Sequence, residues 1–207
     1  MDNTASEVGN RPPSRCGASS LWKWRGLLIA LAVLLAVGAG ALAVRHWRAG
    51  ADLNFACVEA GTLCRSGQPS ARQLAEAVRA NGIRTIVNLR GADAFAKDAR
   101  AAEEAQFANA HGIRYVSLPY DEARAQARIA EFLSLVADPA NRPVLVHCAK
   151  GVERTGVMVA AFRMKVQGWP LPQALAEMEQ FGYRREKSPQ MQQAVQEFAK
   201  ELEKAPR

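Results

Sequence analysis

Val144-Leu145-Val146-His147-Cys148-Ala149-Lys150-Gly151-Val152-Glu153-Arg154-Thr155-Gly156 changes character twice along its length. Pro143–His147 is a short, Val-rich apolar run, the pattern of a strand buried on both faces. Thr155–Gln167 has the composition of a helix, and Gly168 closes it. Between them lies a tight loop carrying Gly151. A strand that feeds a helix through such a loop is the repeating unit of a parallel α/β sheet.

The same alternation extends outward. Asn54–Val58 and Leu63–Arg65 flank a Glu-Ala-Gly turn and predict a short hairpin. Pro69–Ala80 predicts a helix, with Ser70 as N-cap and Asn81-Gly82 as its stop. Ile83–Leu89 and Ile113–Leu118 predict two more strands, separated by an Ala-rich helix over Phe95–Ala110. Arg124–Ala137 is a helix ended before Asp138-Pro139, and Leu171–Phe181 and Pro189–Lys204 are the last two helices. The expected domain is α/β, with a mostly parallel central sheet of four to five strands flanked by helices.

The loop carries the chemistry. A strand–loop–helix of this kind aims several backbone N–H groups at one point beside a helix N-terminus, which makes an anion nest. A dianionic phosphoryl group fits it. The same positive field favours the thiolate of Cys148, an activated nucleophile placed for in-line attack. Arg154 returns at the far end of the loop, where its planar fork can bind two equatorial oxygens. The Thr155 hydroxyl can donate to the Cys148 sulfur and help it leave. Ala149, Lys150, Gly151, Val152 and Glu153 supply the rest of the phosphate cradle.

His147-Cys148, five residues, then Arg154-Thr155-Gly156 resembles the HCxxGxxR(S/T)G signature of the cysteine-dependent phosphatases, with Gly151 at the signature's glycine. Leu63-Cys64-Arg65-Ser66-Gly67-Gln68-Pro69 is similar to the LYRSGQP segment of the compact dual-specificity-like group in bacteria, plants and fungi. Gly82 to Arg90 resembles that group's GIKTVINLR strand, and Gly168-Trp169 with Ala174 to Met178 resembles its GWS…A…EM helix. The likeness covers nearly all of residues 54–200. It implies a phosphatase that hydrolyses phosphomonoesters through a phosphocysteine intermediate, without metal or other cofactor. Phosphotyrosine and phosphoserine/threonine proteins are the expected substrates; a phosphorylated lipid or inositol phosphate is the alternative.

The resemblance also places Arg65 and Arg90 near the pocket rim and calls for a general acid on a loop preceding the cysteine. Asp121 is the candidate, with Glu122 behind it; the pair also suits the start of the next helix. Two positions depart from the group. Cys64 replaces the usual Tyr. Glu153 precedes Arg154, which disfavours the most highly charged substrates, such as inositol pyrophosphates.

Two other classes remain to be weighed. One is a phosphate-binding module without turnover, against which intact Cys148, Arg154 and Thr155 argue. The other is a sulfur-transfer or arsenate-reducing enzyme, which the Arg-Thr-Gly continuation disfavours.

The chain has 207 residues and a formal charge of +7. Residues 1–50 hold six Lys/Arg and two Asp/Glu, and the remainder 21 and 18, so +4 of the charge is N-terminal and +3 lies in the rest. No basic stripe with interleaved aromatics appears, which argues against nucleic acid as partner. No metal-ligating spacing appears among the four cysteines and three histidines. Cys57 and Cys64 sit on the two arms of the predicted hairpin; they are either a cross-strand disulfide or two small core residues.

Residues 1–20 are polar and small and predict a disordered tail. Residues 21–48 centre on an uncharged run, Gly26 to Val44, with Trp22, Trp24 and Trp47 at its ends. This predicts a single-pass transmembrane anchor over residues 26–44. Ala41-Leu42-Ala43 leaves a cleaved signal peptide as the alternative. Arg11, Arg15, Lys23 and Arg25 precede the run and Arg45 and Arg48 follow it. The resemblance and the Ala/Arg-rich composition imply a bacterial protein, so the expected location is an inner membrane, with the excess of charge before the run placing the domain over 51–207 on the periplasmic side.

Overall fold

The computed structural model describes residues 28–29, 31–40, 53–91 and 98–204. The chain divides into two units, residues 1–47 and 48–207.

In the first unit the described helical residues fall between 28 and 40. Among the described residues no helix is long and apolar enough to cross a membrane. This corrects the expectation of a single-pass inner-membrane anchor and the periplasmic placement drawn from it. The predicted tail and Ala41-Leu42-Ala43 lie outside the described residues.

The second unit is built on one five-stranded mixed sheet. Its strands are β1 (Ala56–Glu59), β2 (Leu63–Ser66), β3 (Thr85–Asn88), β4 (Arg114–Ser117) and β5 (Val144–His147), in spatial order β1-β2-β5-β3-β4. β1 pairs antiparallel with β2, and all other pairings are parallel. β5 is central, with Ser66 and Asn88 flanking His147 in register. The C-terminal ends of the parallel strands therefore meet in one row. That edge is where parallel sheets place their sites.

The helices are α1 (Ala71–Asn81), α2 (Ala99–Ala110), α3 (Ala125–Ala137), α4 (Glu153–Gln167), α5 (Leu171–Gln180) and α6 (Pro189–Lys204). The α1 cap is the expected one. Ser70 accepts from the Gln73 amide, the Gln73 side chain reaches back to the Ser70 amide, and Gly82 ends the helix in the left-handed region. α4 begins two residues earlier than its composition predicts. It is buried on nearly every side, from Thr155 to Phe162, as a helix must be when other helices enclose it. Gly156 makes this possible at one point, because a Cβ there would lie 3.2 Å from the Met178 side chain of α5.

The main core gathers α3, α4, α5 and α6 on one face of the sheet, around Phe132, Val157, Phe162, Met178 and Phe198. A smaller cluster of Leu74, Ile83, Ile86, Ala108 and Leu145 sits under α1 and α2 on the other face. Cys57 and Cys64 face each other across β1 and β2 and form a disulfide, with Cα atoms 3.9 Å apart. The α/β architecture and the mostly parallel sheet agree with the sequence reading.

Candidate active site

β5 carries the chain to Cys148, which is buried and free. The loop from Cys148 to Val152 then delivers it into α4. Three successive carbonyls of that loop are held from outside by the hairpin region. The Gln68 amide donates to Ala149 O at 3.0 Å, Asn54 Nδ2 to Lys150 O at 2.9 Å, and Arg65 Nη2 to Gly151 O at 2.6 Å. In a trans peptide the C=O and the following N–H point in opposite directions. Fixing the carbonyls of 149, 150 and 151 outward turns the amides of 150, 151 and 152 to the inner side. This is the physical origin of the anion nest.

Gly151 is required twice over. Its φ is +71°, and a Cβ would lie 2.6 Å from the Ser66 and Gly67 backbone. Val152 gives α4 no side-chain cap, so the amides of the first turn of α4 keep no side-chain partner at that end.

The cleft above the loop has a volume of about 380 Å³. One wall is Cys148, Ala149, Lys150, Glu153 and Arg154. The other is Tyr120 and Glu122 with Ser188, Gln190 and Met191 of the segment entering α6. Gln190 Nε2 donates to Glu122 Oε1 at 3.1 Å and joins the two parts of that wall. Burial, then the charges of Glu122 and Glu197, push the Tyr120 hydroxyl up to about 12, so it keeps its proton at neutral pH. Thr155 is fully buried, and its hydroxyl has no hydrogen-bond partner among the described residues.

The other predicted residues lie elsewhere. Asp121 accepts from the Ala123 amide at 3.0 Å and caps a 3-10 turn, Glu122–Arg124; Glu122, not Asp121, lines the cleft. Arg90 is held by Asp98 and Gln68, each at 2.8 Å, and is not among the residues that line the cleft. Arg100 and then Arg90 hold the Asp98 carboxyl well below the usual carboxylate range. Arg65 is 1% exposed and lies beneath the loop rather than at a rim.

Behind the nucleophile is a buried polar cluster that the sequence reading missed. Glu104 of α2 is 1% exposed. Its Oε1 lies 3.0 Å from His147 Nε2, and its Oε2 accepts from Asn88 Nδ2 at 3.2 Å and Tyr115 at 3.5 Å. The His147 approach is close but does not have the geometry of a hydrogen bond. Asn88 also donates to the Tyr115 hydroxyl at 2.8 Å. Burial first, then Glu104, pushes Tyr115 up to about 12. The cluster ties α2 to β3, β4 and β5 at the strand that leads into Cys148. Nothing in the sequence pattern marks it, since Glu104 sits in an Ala-rich helix whose other carboxylate neighbour, Glu103, is not buried.

A nest, a buried cysteine at its base and an arginine on its wall define a cysteine-dependent phosphatase site by class. The chain belongs to the family described as "DSP-PTPase phosphatase fused to NAD+ Kinase", whose model matches residues 43–201. Among curated proteins it is 34% identical over 137 residues to inositol diphosphatase DSP1 of Oryza sativa subsp. japonica, covering 62% of this chain and 57% of that protein. It is 35% identical over 126 residues to dual specificity protein phosphatase TpbA of Pseudomonas aeruginosa, covering 59% of this chain and 52% of that protein. The matched part is thus little more than half the length of these relatives. The crystal structure of P. aeruginosa TpbA superposes with a TM-score of 0.55 at 28% identity, over 72% of this chain and 91% of that one. The catalytic domain of the Saccharomyces cerevisiae PP-IP phosphatase SIW14 shares the fold, with a TM-score of 0.60 at 23% identity, over 73% of this chain and 88% of that one.

Proposed function

We propose that this protein hydrolyses phosphomonoesters through a phosphocysteine intermediate, with residues 51–207 as the catalytic unit. The observation that carries the reading is the loop itself. Its carbonyls 149 to 151 are turned out by three hydrogen bonds, above a buried free Cys148.

In this account the phosphoryl group sits in the nest formed by Ala149, Lys150, Gly151, Val152 and Glu153. Cys148 Sγ attacks phosphorus as the ester oxygen leaves, so an S–P bond forms while a P–O bond breaks. Arg154 clamps two equatorial oxygens and follows their charge into the transition state. A carboxylic acid gives the leaving oxygen its proton. Water then attacks the phosphocysteine, phosphate departs, and the Thr155 hydroxyl donates to the departing sulfur. The positive charge comes from Arg154 and backbone dipoles, so the scheme needs no metal.

Glu122 is better placed than Asp121 to be the acid, because Glu122 lines the cleft and Asp121 does not. The substrates are phosphotyrosine and phosphoserine/threonine proteins. Two carboxylates, Glu122 and Glu153, share the cleft with Lys150 and Arg154, which suits one phosphoryl group on a near-neutral body. Inositol phosphates are the rival class, supported by the inositol diphosphatase relative.

The test is turnover of p-nitrophenyl phosphate by the full chain. Activity blocked by vanadate and unaffected by EDTA is expected. No turnover, or turnover abolished by EDTA, contradicts the reading. The same assay on phosphopeptides and inositol phosphates ranks the two substrate classes.

A further inference from the structure

Arg65 is buried against the loop that carries Cys148. The residue is 1% exposed. Only Nη2 has a hydrogen-bond partner, Gly151 O; Nε and Nη1 have none among the described residues. No carboxylate forms an ion pair with it among the described residues. Glu177, the carboxylate whose charge acts on it, is already gripped by Arg163, whose Nη2 lies 2.6 Å from Glu177 Oε1. Arg65 also stacks on the Phe181 ring, 3.7 Å from its centroid. A buried charge without a counter-charge is strongly disfavoured. A fold that keeps one there has a negative partner for it in the working state, and the loop above supplies the candidate.

We propose that Arg65 is a positioning residue for the Cys148 thiolate. From beneath the loop it supplies a fixed positive charge to the sulfur and to a bound phosphoryl group, and it holds the Gly151 carbonyl turned away from both. The proposal rests on the phosphocysteine reading above and replaces a substrate contact at the rim with electrostatic support from below.

The charge is retained at working pH. Burial lowers Arg65 to about 10, while Glu177 and then Cys148 act to raise it. Coupling of two titrating groups is reciprocal, so a thiolate that favours the guanidinium is favoured by it. Other titratable and charged groups surround the site. His147, with Glu104 behind it, lies on the strand side. Lys150, Glu153 and Arg154 of the loop and α4, and Tyr120 and Glu122 opposite, complete the surroundings. Arg65 differs from Lys150, Glu153, Arg154 and Glu122 in being buried, and from His147 and Glu104 in bonding to the loop, through the Gly151 carbonyl.

The test is the pH midpoint of Cys148 alkylation by iodoacetamide in the full chain, beside kcat and KM for p-nitrophenyl phosphate. Cys57 and Cys64 are disulfide-bonded, and mass spectrometry of the Cys148 peptide isolates its signal from that of Cys16. Arg65→Met removes the charge and the donor. Arg65→Lys keeps the charge and loses the fork. Arg65→Gln keeps a donor for Gly151 without charge, and stands in should Arg65→Met not fold.

An opposite charge near a titrating group shifts it by about one pH unit or more. The midpoint is therefore expected to rise by about that much in the Met and Gln variants and to stay at the wild-type value in the Lys variant. kcat falls about tenfold or more in the Met and Gln variants, with the larger part restored by Lys. An unchanged midpoint in a folded Met or Gln variant, or a Lys variant that shifts as far as they do, overturns the proposal. Alkylation needs no turnover. Failure of the phosphatase reading would show as an inactive wild type with an ordinary alkylation curve, and failure of this proposal as a midpoint indifferent to the charge at position 65.

Discussion

At the scale of the residue, the signature His147-Cys148 to Arg154-Thr155 was legible because its spacing encodes a loop geometry, and the structure has that geometry. Asp121 was less legible. An acid at the end of a β-strand can point into a cleft or turn back to cap the next turn, and the two look alike in sequence. Here Asp121 Oδ1 takes the Ala123 amide at 3.0 Å, a bond of the kind short acidic side chains readily form, and Glu122 is left facing the cleft. The expected outcome follows. Glu122→Gln lowers kcat about a hundredfold for phenyl phosphate, whose leaving group needs a proton, and little for p-nitrophenyl phosphate. Asp121→Asn changes both substrates alike and by much less. Steady-state kinetics on the two substrates checks this, and the reverse pattern assigns the proton to Asp121. Arg65 was expected at the pocket rim and lies buried against the Gly151 carbonyl instead. The end of β2 faces both the site and the underside of the loop, and only the packing decides between them.

At the scale of the element, strands and helices were read to within a few residues because apolar period, caps and stop glycines agree. Ser70 with Gln73, and Gly82, are the clearest case. The start of α4 was misjudged because Glu153 and Arg154 carry no apolar signal and Val152 is no ordinary cap. The cradle of the loop was hidden for a different reason. Asn54, Arg65 and Gln68 reach it from β-hairpin and turn positions 86 to 96 residues away in the case of Arg65 and Asn54, and such long-range bonds leave no local pattern.

Glycine variants test that cradle. Gly61 and Gly151 share a positive φ, +73° and +71°, but a Cβ at Gly61 meets nothing within 4 Å while one at Gly151 meets the Ser66 and Gly67 backbone. Gly61→Ala should cost about 1–2 kcal/mol from backbone conformation alone, or roughly 2–8 °C in thermal midpoint, with activity retained. Gly151→Ala should cost more than that and lose activity at least about tenfold, because β2 and the loop must separate. Equal effects of the two substitutions on activity would mean that the close approach to β2 does not shape the nest.

At the scale of the whole molecule, the α/β class followed from alternation along the chain, and the parallel order of β2, β5, β3 and β4 gathers the strand ends under one loop. The N-terminal unit was misread. Hydropathy alone suggested a spanning helix, and among the described residues no helix is long and apolar enough to cross a membrane. The polar cluster of Glu104, His147, Asn88 and Tyr115 belongs to this scale too, since it exists only once α2, β3, β4 and β5 have come together. All of these parts converge on one atom, Cys148 Sγ, and on the claim that it becomes covalently phosphorylated. The most direct measurement is rapid acid quench of the full chain during turnover of p-nitrophenyl phosphate, followed by mass spectrometry of the Cys148 peptide. A phosphate adduct on Cys148 that forms within a turnover, with both adduct and turnover lost in Cys148→Ser, is the predicted result. Steady turnover by Cys148→Ser, or a phosphate adduct on another residue, would contradict it.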